Sequence, residues 1–359
     1  MTATKLLCLF SAASLMGTLP AFGQQSPSAN SHSAPSASSQ HVQLDVVVDT
    51  KSGQPVTNLS QQGFTVLDNK SPRPITSFKV VTAKQEPVSV ILFIDAVNTP
   101  YELVASMRDQ TEKLLKINEG QLAYPTSIAV LTDDGIQLPK TFSSNGMELS
   151  DDLDHREIGL HKITLNNEFS AGDRLTISVR ALHQLTLFIS RLPGRKIVLW
   201  ISPGFPLVSG PGYSVLTPKA QQSIFGDVTY FSGALRQNNI TLYNIDPVGA
   251  SQSTFSANYY QNFLKGVSRP DEAQLADLSV QVLSAQSGGL ALVSNNDVGG
   301  QITRCLQDVA AWYRIEFDPI PPDKPNEYHR IDVRVDQPGL IARTRTGYYA
   351  NPVAAIPPR

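Results

Sequence analysis

Cysteine is nearly absent from this chain. Two occur in 359 residues, Cys8 and Cys305, and Cys8 lies in an apolar leader, so a chain that loses the leader can form no internal disulfide. The core has to hold without covalent staples. An excess of charge of either sign is missing too: Lys+Arg 29 against Asp+Glu 31 leaves a formal net charge of −2. Without a basic field there is nothing to displace counterions from a phosphate backbone, and nucleic acid is excluded as the expected partner. No apolar run reaches the roughly 20 residues that a membrane-spanning helix requires. The closest approach to a Gly-x-Ser-x-Gly elbow is Gly210-Pro211-Gly212-Tyr213-Ser214, in the wrong order. Gly-rich phosphate loops and internal repeats of about 20 to 50 residues are also missing. These absences leave no readable catalytic centre, and the expectation is a protein that is not an enzyme.

What is present begins with MTATKLLCLFSAASLMGTLPAFGQQ: one early cation at Lys5, an apolar stretch from Leu6 to Leu19, and the ending Ala21-Phe22-Gly23. That pattern reads as a signal peptide over residues 1–23, and it predicts export to the periplasm or beyond. Residues 24–41 are rich in Ser, Pro and Ala with almost no large apolar side chain, which predicts a disordered linker. Over the full chain, 41% hydrophobic residues against 17% charged suit a globular core. Residues 351–359 read as a tail.

Two β-rich stretches flank a middle of another kind. VQLDVVVDT and FTVLDN near the start, and YRIEFDPI, YHRIDVRV and LIARTRTGYY near the end, are short runs bounded by turn residues. They predict one discontinuous β-sandwich-like unit from 42–86 and 313–350. Between them, over 87–312, continuous apolar runs at 88–94, 127–131, 197–201, 240–245 and 290–293 alternate with helical stripes at 101–117, 173–192, 271–286 and 297–312. The fold class this predicts is α/β: a doubly wound, mostly parallel sheet inserted into the small antiparallel unit, with any crevice at the carboxyl ends of the strands. Cys305, among Ile302, Leu306 and Val309, reads as a buried thiol.

In order and spacing, LDVVVDTKSGQPVTNLSQQGFTVLDNKSPRPITSF, ILFIDAVNTP, GRKIVLWISPGFPL and HRIDVRVDQPGLIARTRTGYYA resemble the VWFA-related domain proteins abundant in acidobacteria, over about residues 42 to 350. The resemblance implies a von Willebrand factor A-like domain over 87–312 and a metal-ion-dependent adhesion site, where oxygen ligands hold Mg²⁺ or Mn²⁺ and leave a position open to a partner's carboxylate. Carried over, Asp95 matches the first ligand of Asp-x-Ser-x-Ser and Thr99 the last, while Val97 replaces the middle Ser. Ser202-Pro203-Gly204 stands where Thr-Asp-Gly is expected, Thr164 and Thr176 are the candidates for the loop Thr, and Asn98 is a further oxygen donor. Thr132-Asp133-Asp134-Gly135 has suitable letters after the second strand and reads as a decoy turn. The site is therefore expected to be degenerate. A plain alternative stands beside it: Thr99-Pro100-Tyr101-Glu102 is a capping box, and Asp95 favours the helix start.

Other groups read as ordinary. Asp151 to Glu157 with His161 is expected to be a solvated acidic loop, and His183 a helix-flank histidine. The Gly- and Pro-rich stretch from Pro203 to Gly226 is long for a loop in a compact domain and is the expected recognition surface. Phe205, Tyr213, Tyr259 and Tyr260 are its candidate contact residues for a protein or cell-surface ligand. The function expected is an exported binding or adhesion module acting through that edge. The alternatives are an envelope scaffold binding through edge strands such as IDVRV, and an unrecognised hydrolase.

Overall fold

Valine and leucine at alternate positions of Val42–Thr50 make the first strand, β1, with Leu44 and Val46 fully buried. The computed structural model describes residues 41–156, 168–205, 216–249, 259–293 and 295–352. The signal peptide read over 1–23, nearly all of the linker and the end of the tail lie outside the described residues. After β1 come β2 (Phe64–Asp68), β3 (Ser71–Arg73) and β4 (Ile75–Thr82). The middle follows: β5 (Val88–Asp95), α1 (Tyr101–Leu115), β6 (Gln121–Thr132), β7 (Gly135–Gln137), β8 (Ser143–Asn145), α2 (Gly146–Asp154) and α3 (Glu168–Ile189). It continues with β9 (Arg195–Ile201), α4 (Pro218–Gln237), β10 (Ile240–Ile245), α5 (Val280–Gln286), β11 (Ala291–Leu292) and α6 (Val298–Gln307). Four strands end the described chain: β12 (Ala311–Phe317), β13 (Glu327–Val335), β14 (Leu340–Arg343) and β15 (Gly347–Ala350).

The central sheet has the order β11-β10-β9-β5-β6-β7, with β8 also paired to β6. β5, β6, β9, β10 and β11 are parallel, and β7 and β8 run the other way. Alternate residues of each parallel strand face opposite layers. Leu92, Ile94, Val130 and Leu199 pack under α1, α2 and α6, while Ile91, Phe93, Ala129 and Trp200 pack under α3, α4 and α5. From β5 the chain winds one way to β6 and later the other way from β9 to β10, so the order reverses between β5 and β9. Carboxyl ends at such a reversal splay apart and leave a crevice.

The flanking stretches interleave in two antiparallel four-stranded sheets, β14-β1-β12-β4 and β15-β13-β2-β3. Their buried faces supply one apolar cluster, with Leu44 and Ile315 from the first and Val66 and Ile331 from the second. The IDVRV segment is Ile331 to Val335 of β13 and pairs with β2 along one side, while β15 pairs with Glu327 to Arg330 of the same strand. Among the described residues the other side of the segment has no paired strand beyond Ile331.

Local side chains account for the departures from the sequence reading. Thr217 accepts a hydrogen bond from Ala220 N and Pro218 opens α4, so the stretch expected to be loop as far as Gly226 is helical from 218. The helix expected over 271–286 is broken into short turns before α5, because Asp277 takes the Gln274 N–H and extended Ser279 caps Val280–Gln286. Asp151 to Asp154 belong to α2 and are not a loop. Asp152 pairs with Arg156 and Lys140, and Asp154 with Arg108; His161 lies outside the described residues. Cys305 is buried on α6, as expected. Among the described residues no helix is long and apolar enough to cross a membrane.

A buried charge network fastens the flanking sheets to the central one. Asp308, fully buried after α6, accepts from Arg343 of β14 at 2.6 Å, Arg304 of α6 at 3.1 Å and the Tyr243 hydroxyl of β10 at 2.9 Å. Arg304 also reaches Asp49 of β1 at 2.9 Å. Removing one partner of such a set leaves buried charge uncompensated. Asp308→Ala is expected to lower unfolding free energy by about 3 to 5 kcal/mol. Urea titration checks this; a loss within the spread of ordinary surface substitutions would contradict it.

Candidate functional site

Asp95 ends β5 on the crevice side of the reversal. Its carboxylate is fully buried, and a buried charge is tolerable only when its lone pairs are met. Oδ1 accepts the backbone N–H groups of Val97 and Asn98, both at 3.0 Å, which folds the chain back immediately after the strand. Oδ2 accepts Asn98 Nδ2 at 2.8 Å, Ser202 Oγ at 2.7 Å and Trp200 Nε1 at 3.2 Å. Burial raises the Asp95 pKa from its ordinary value of 3.8; hydrogen bonds from Asn98, Ser202 and Trp200 oppose the rise without cancelling it.

The cluster reaches a third element through Asn98, whose Nδ2 also donates to Ser178 Oγ of α3 at 2.8 Å. Arg174 stands one helical turn before Ser178 and is itself buried, with 8% of its surface exposed. Side chains four apart share a helix face and lean toward its N-terminus, so Arg174 is directed at the same edge. Burial lowers its pKa, while the carboxylates of Asp95 and Asp133 hold the proton on. Asp133 therefore belongs to the electrostatics of this edge, although its Thr-Asp-Asp-Gly stretch also makes the tight β6–β7 turn, where Thr132 Oγ1 donates to Gly135 O at 3.1 Å.

These residues do not fit a divalent cation as they stand. Mg²⁺ needs several oxygen ligands around one point, whereas both oxygens of Asp95 face N–H and O–H donors, five in all. Val97 is fully buried in the apolar core. Pro203 stands where the second carboxylate is expected and offers no side-chain oxygen, and Ser202 before it donates to Asp95. Thr176 turns its hydroxyl onto Gly172 O at 2.8 Å, and Thr164 lies outside the described residues. Among the described residues no three His, Cys, Asp or Glu side chains converge in the manner of a metal site. Among the described residues, the positive charge at this edge comes from Arg174.

The capping box is corrected as well. Thr99 is fully buried, Pro100 takes the N-cap position with extended ψ of 139°, and no side chain caps α1. With Thr99 turned into the interior, its hydroxyl is not placed at the helix start, and Glu102 stays exposed.

The candidate contact aromatics separate. Phe205 is 5% exposed and packs edge-on against Trp200, with centroids 5.2 Å apart, so it is a core residue where a surface contact was expected. Tyr213 lies outside the described residues. Tyr259 and Tyr260 are half-buried on a short turn. Tyr259 donates to Gln281 Oε1 at 3.3 Å, and Gln281 Nε2 donates to Pro203 O at 3.2 Å. That chain of contacts brings Tyr259 to the loop after β9. Gly204 is required there: its φ is +102°, and a Cβ would lie 2.6 Å from the Gln281 side chain. His183 lies at the α3–α4 contact, stacked on Tyr230 and Phe231.

No protein-family model matches this chain, and no curated protein matches it. Among solved structures it is similar to the PilB minor pilin from Streptococcus sanguinis, with TM-score 0.35 and 12% identity, over 66% of this chain and 63% of that one. It is similar to proximal thread matrix protein 1 from the mussel byssus, solved with a zinc-occupied MIDAS motif, with TM-score 0.35 and 10% identity over 66% and 49%. Manganese-loaded Plasmodium vivax TRAP protein has TM-score 0.31 and 11% identity over 76% and 98%. The chain thus spans less than two thirds of the pilin and of the byssus protein. Scores of this size transfer no residue role.

Beside the cluster, Asp246 follows β10 and is fully buried, accepting Val248 N at 2.8 Å and Gly249 N at 3.3 Å. Burial pushes its pKa from 3.8 up to about 6. Because the folded value is raised, the stabilising contribution of protonated Asp246 is full below pH 3.8 and is lost as pH rises through about 6. Stability of the wild type relative to Asp246→Asn should therefore fall across that window and stay level above it. Denaturant titrations at stepped pH check the sign; a rise across the window would contradict it.

Proposed function

We propose that this chain is an exported, non-enzymatic binding module that takes a protein or surface partner on the loops at the β5–β9 reversal, and that this edge works without a divalent cation. The observation that carries the reading is the Asp95 carboxylate, satisfied by five protein donors while an arginine supplies the positive charge. An edge built in this way holds the post-β9 loop and the Tyr259 turn in fixed positions, the preorganisation that recognition loops need. The von Willebrand A-like layout supports the choice of edge. Export rests on the leader pattern over residues 1–23. The non-enzymatic part is favoured by the engagement of Ser202 Oγ, which donates to a buried carboxylate and has no histidine beside it among its hydrogen-bond partners. Binding through a sheet edge is the weaker alternative: of the terminal strands β14, β4, β15 and β3, β4 carries exposed Lys79 and β3 carries Pro72, both of which oppose strand addition.

Calorimetric titration with Mg²⁺ and Mn²⁺, with thermal melts in EDTA, tests the metal-free reading. The wild type should show no saturable heat and the same midpoint with metal or chelator. Asp95→Ala should lose about 3 kcal/mol or more in either condition, because it strands several buried donors. Saturable binding that disappears in Asp95→Ala would overturn the reading.

A further inference from the structure

We propose that the cleft between α4, the segment 319–326 and β15 binds a small organic carboxylate, with Arg236 as the residue that holds the anion. This does not rest on the Asp95 reading. Arg236 is in the last turn of α4, and α4 leads from the carboxyl end of β9 back to the start of β10, so the cleft lies at the opposite end of the sheet from Asp95.

The cleft encloses about 490 Å³, within the size range of small-ligand sites. Tyr230, Ile320, Pro322 and Tyr348 give it apolar walls, and no Asp or Glu is among its lining residues. The Arg236 guanidinium lies 5.8 Å from the centroid of the Tyr348 ring. Its Nε is buried without a hydrogen bond, and among the described residues the side chain makes neither hydrogen bond nor ion pair. A guanidinium carries five donors in a planar fork that matches a carboxylate. Here the fork is held over an aromatic face with no acceptor. The carbonyl end of α4 favours a cation at this position, but it accepts none of those donors.

Arg345 adds to the potential from behind. It is 9% exposed, its Nε is buried without a hydrogen bond, and it has no ion pair among the described residues. Burial first, then the charges of Arg236 and Arg195, push its pKa down to about 10, with Asp45 pulling the other way. The acids nearest this region each hold a partner, although Asp45 keeps one buried oxygen without a hydrogen bond. Asp45 pairs with Arg314 at 3.1 Å, Asp68 with His329 at 2.9 Å, and Asp318 with His41 at 2.6 Å. Arg236, without an acceptor among the described residues and lining a cleft without Asp or Glu among its described residues, with the charge of Arg345 acting on it from outside the cleft, forms the juxtaposition that an incoming carboxylate completes, its apolar part lying against Tyr230 and Pro322.

The probe is benzoate, titrated into the full chain by calorimetry and thermal melt against chloride at equal ionic strength. Benzoate is expected to raise the wild-type midpoint saturably. Arg236→Gln should fold with a midpoint no lower than wild type in chloride, since it removes a half-buried cation with no acceptor, and should bind benzoate at least about tenfold more weakly. Arg236→Lys should fall between them, keeping the charge and losing the fork. No benzoate-dependent shift in the wild type, or an equal shift in Arg236→Gln, would overturn the site. An equal response to inorganic phosphate would overturn the assignment to a carboxylate.

Discussion

The Asp95 carboxylate, sealed from water at the point where the central sheet reverses, is the constraint on which the geometry of this edge depends. A carboxylate in that position has two stable solutions: a metal ion with its water, or enough protein donors to occupy its lone pairs. This chain takes the second. The donors come from the turn after β5 and from the end of β9, and Asn98 carries the connection to α3 through Ser178. Because the partners belong to different elements, one acidic group fixes the spacing of three segments around the crevice. At this edge Val97 fills core, Ser202 donates to Asp95, and Arg174 brings positive charge.

The flanking sheets answer a different demand. They are assembled from both ends of the described chain, and their union with the central sheet runs through Asp308, which touches groups from β10, β14 and α6. Arg195 lies 4.8 Å from the Trp312 ring centroid and donates to Asp308 O at 3.3 Å, extending the joint to β9 and β12. Such a joint is specific in geometry and costly to half-dismantle. The segment after β10 is tied to the flanking sheets as well, since Tyr349 of β15 donates to Val267 O at 2.9 Å.

Much of this was legible in the sequence, and the boundary is physical. Continuous apolar runs marked β5, β9 and β10 because a strand covered on both faces needs no polar alternation. Asp95 stood out because it closes such a run. The buried thiol at Cys305 followed from its apolar neighbours. What escaped were effects that depend on distant partners. Nothing local tells which side of IDVRV pairs with β2, and the burial of Phe205 depends on Trp200. Thr99 carried a correct capping signal that the interior outcompeted. Ser178 and Arg174, polar residues four apart within an apolar helix, did leave a trace: a polar pair on a buried stripe calls for partners, and the sequence alone does not name them. Thr217-Pro218 was a helix start hidden inside a Gly- and Pro-rich stretch.

The Trp200 indole N–H reports on the cluster directly, since it donates to Asp95 Oδ2 at 3.2 Å inside a closed core. Its proton resonance and hydrogen-exchange rate, followed by NMR in EDTA and then in millimolar Mg²⁺, separate the two solutions open to the carboxylate. A protected indole proton whose shift and exchange are unchanged by the ion is the result expected of an edge satisfied by its own donors. A saturable displacement of that resonance with accelerated exchange, as the ion takes Oδ2 from the indole, would contradict it.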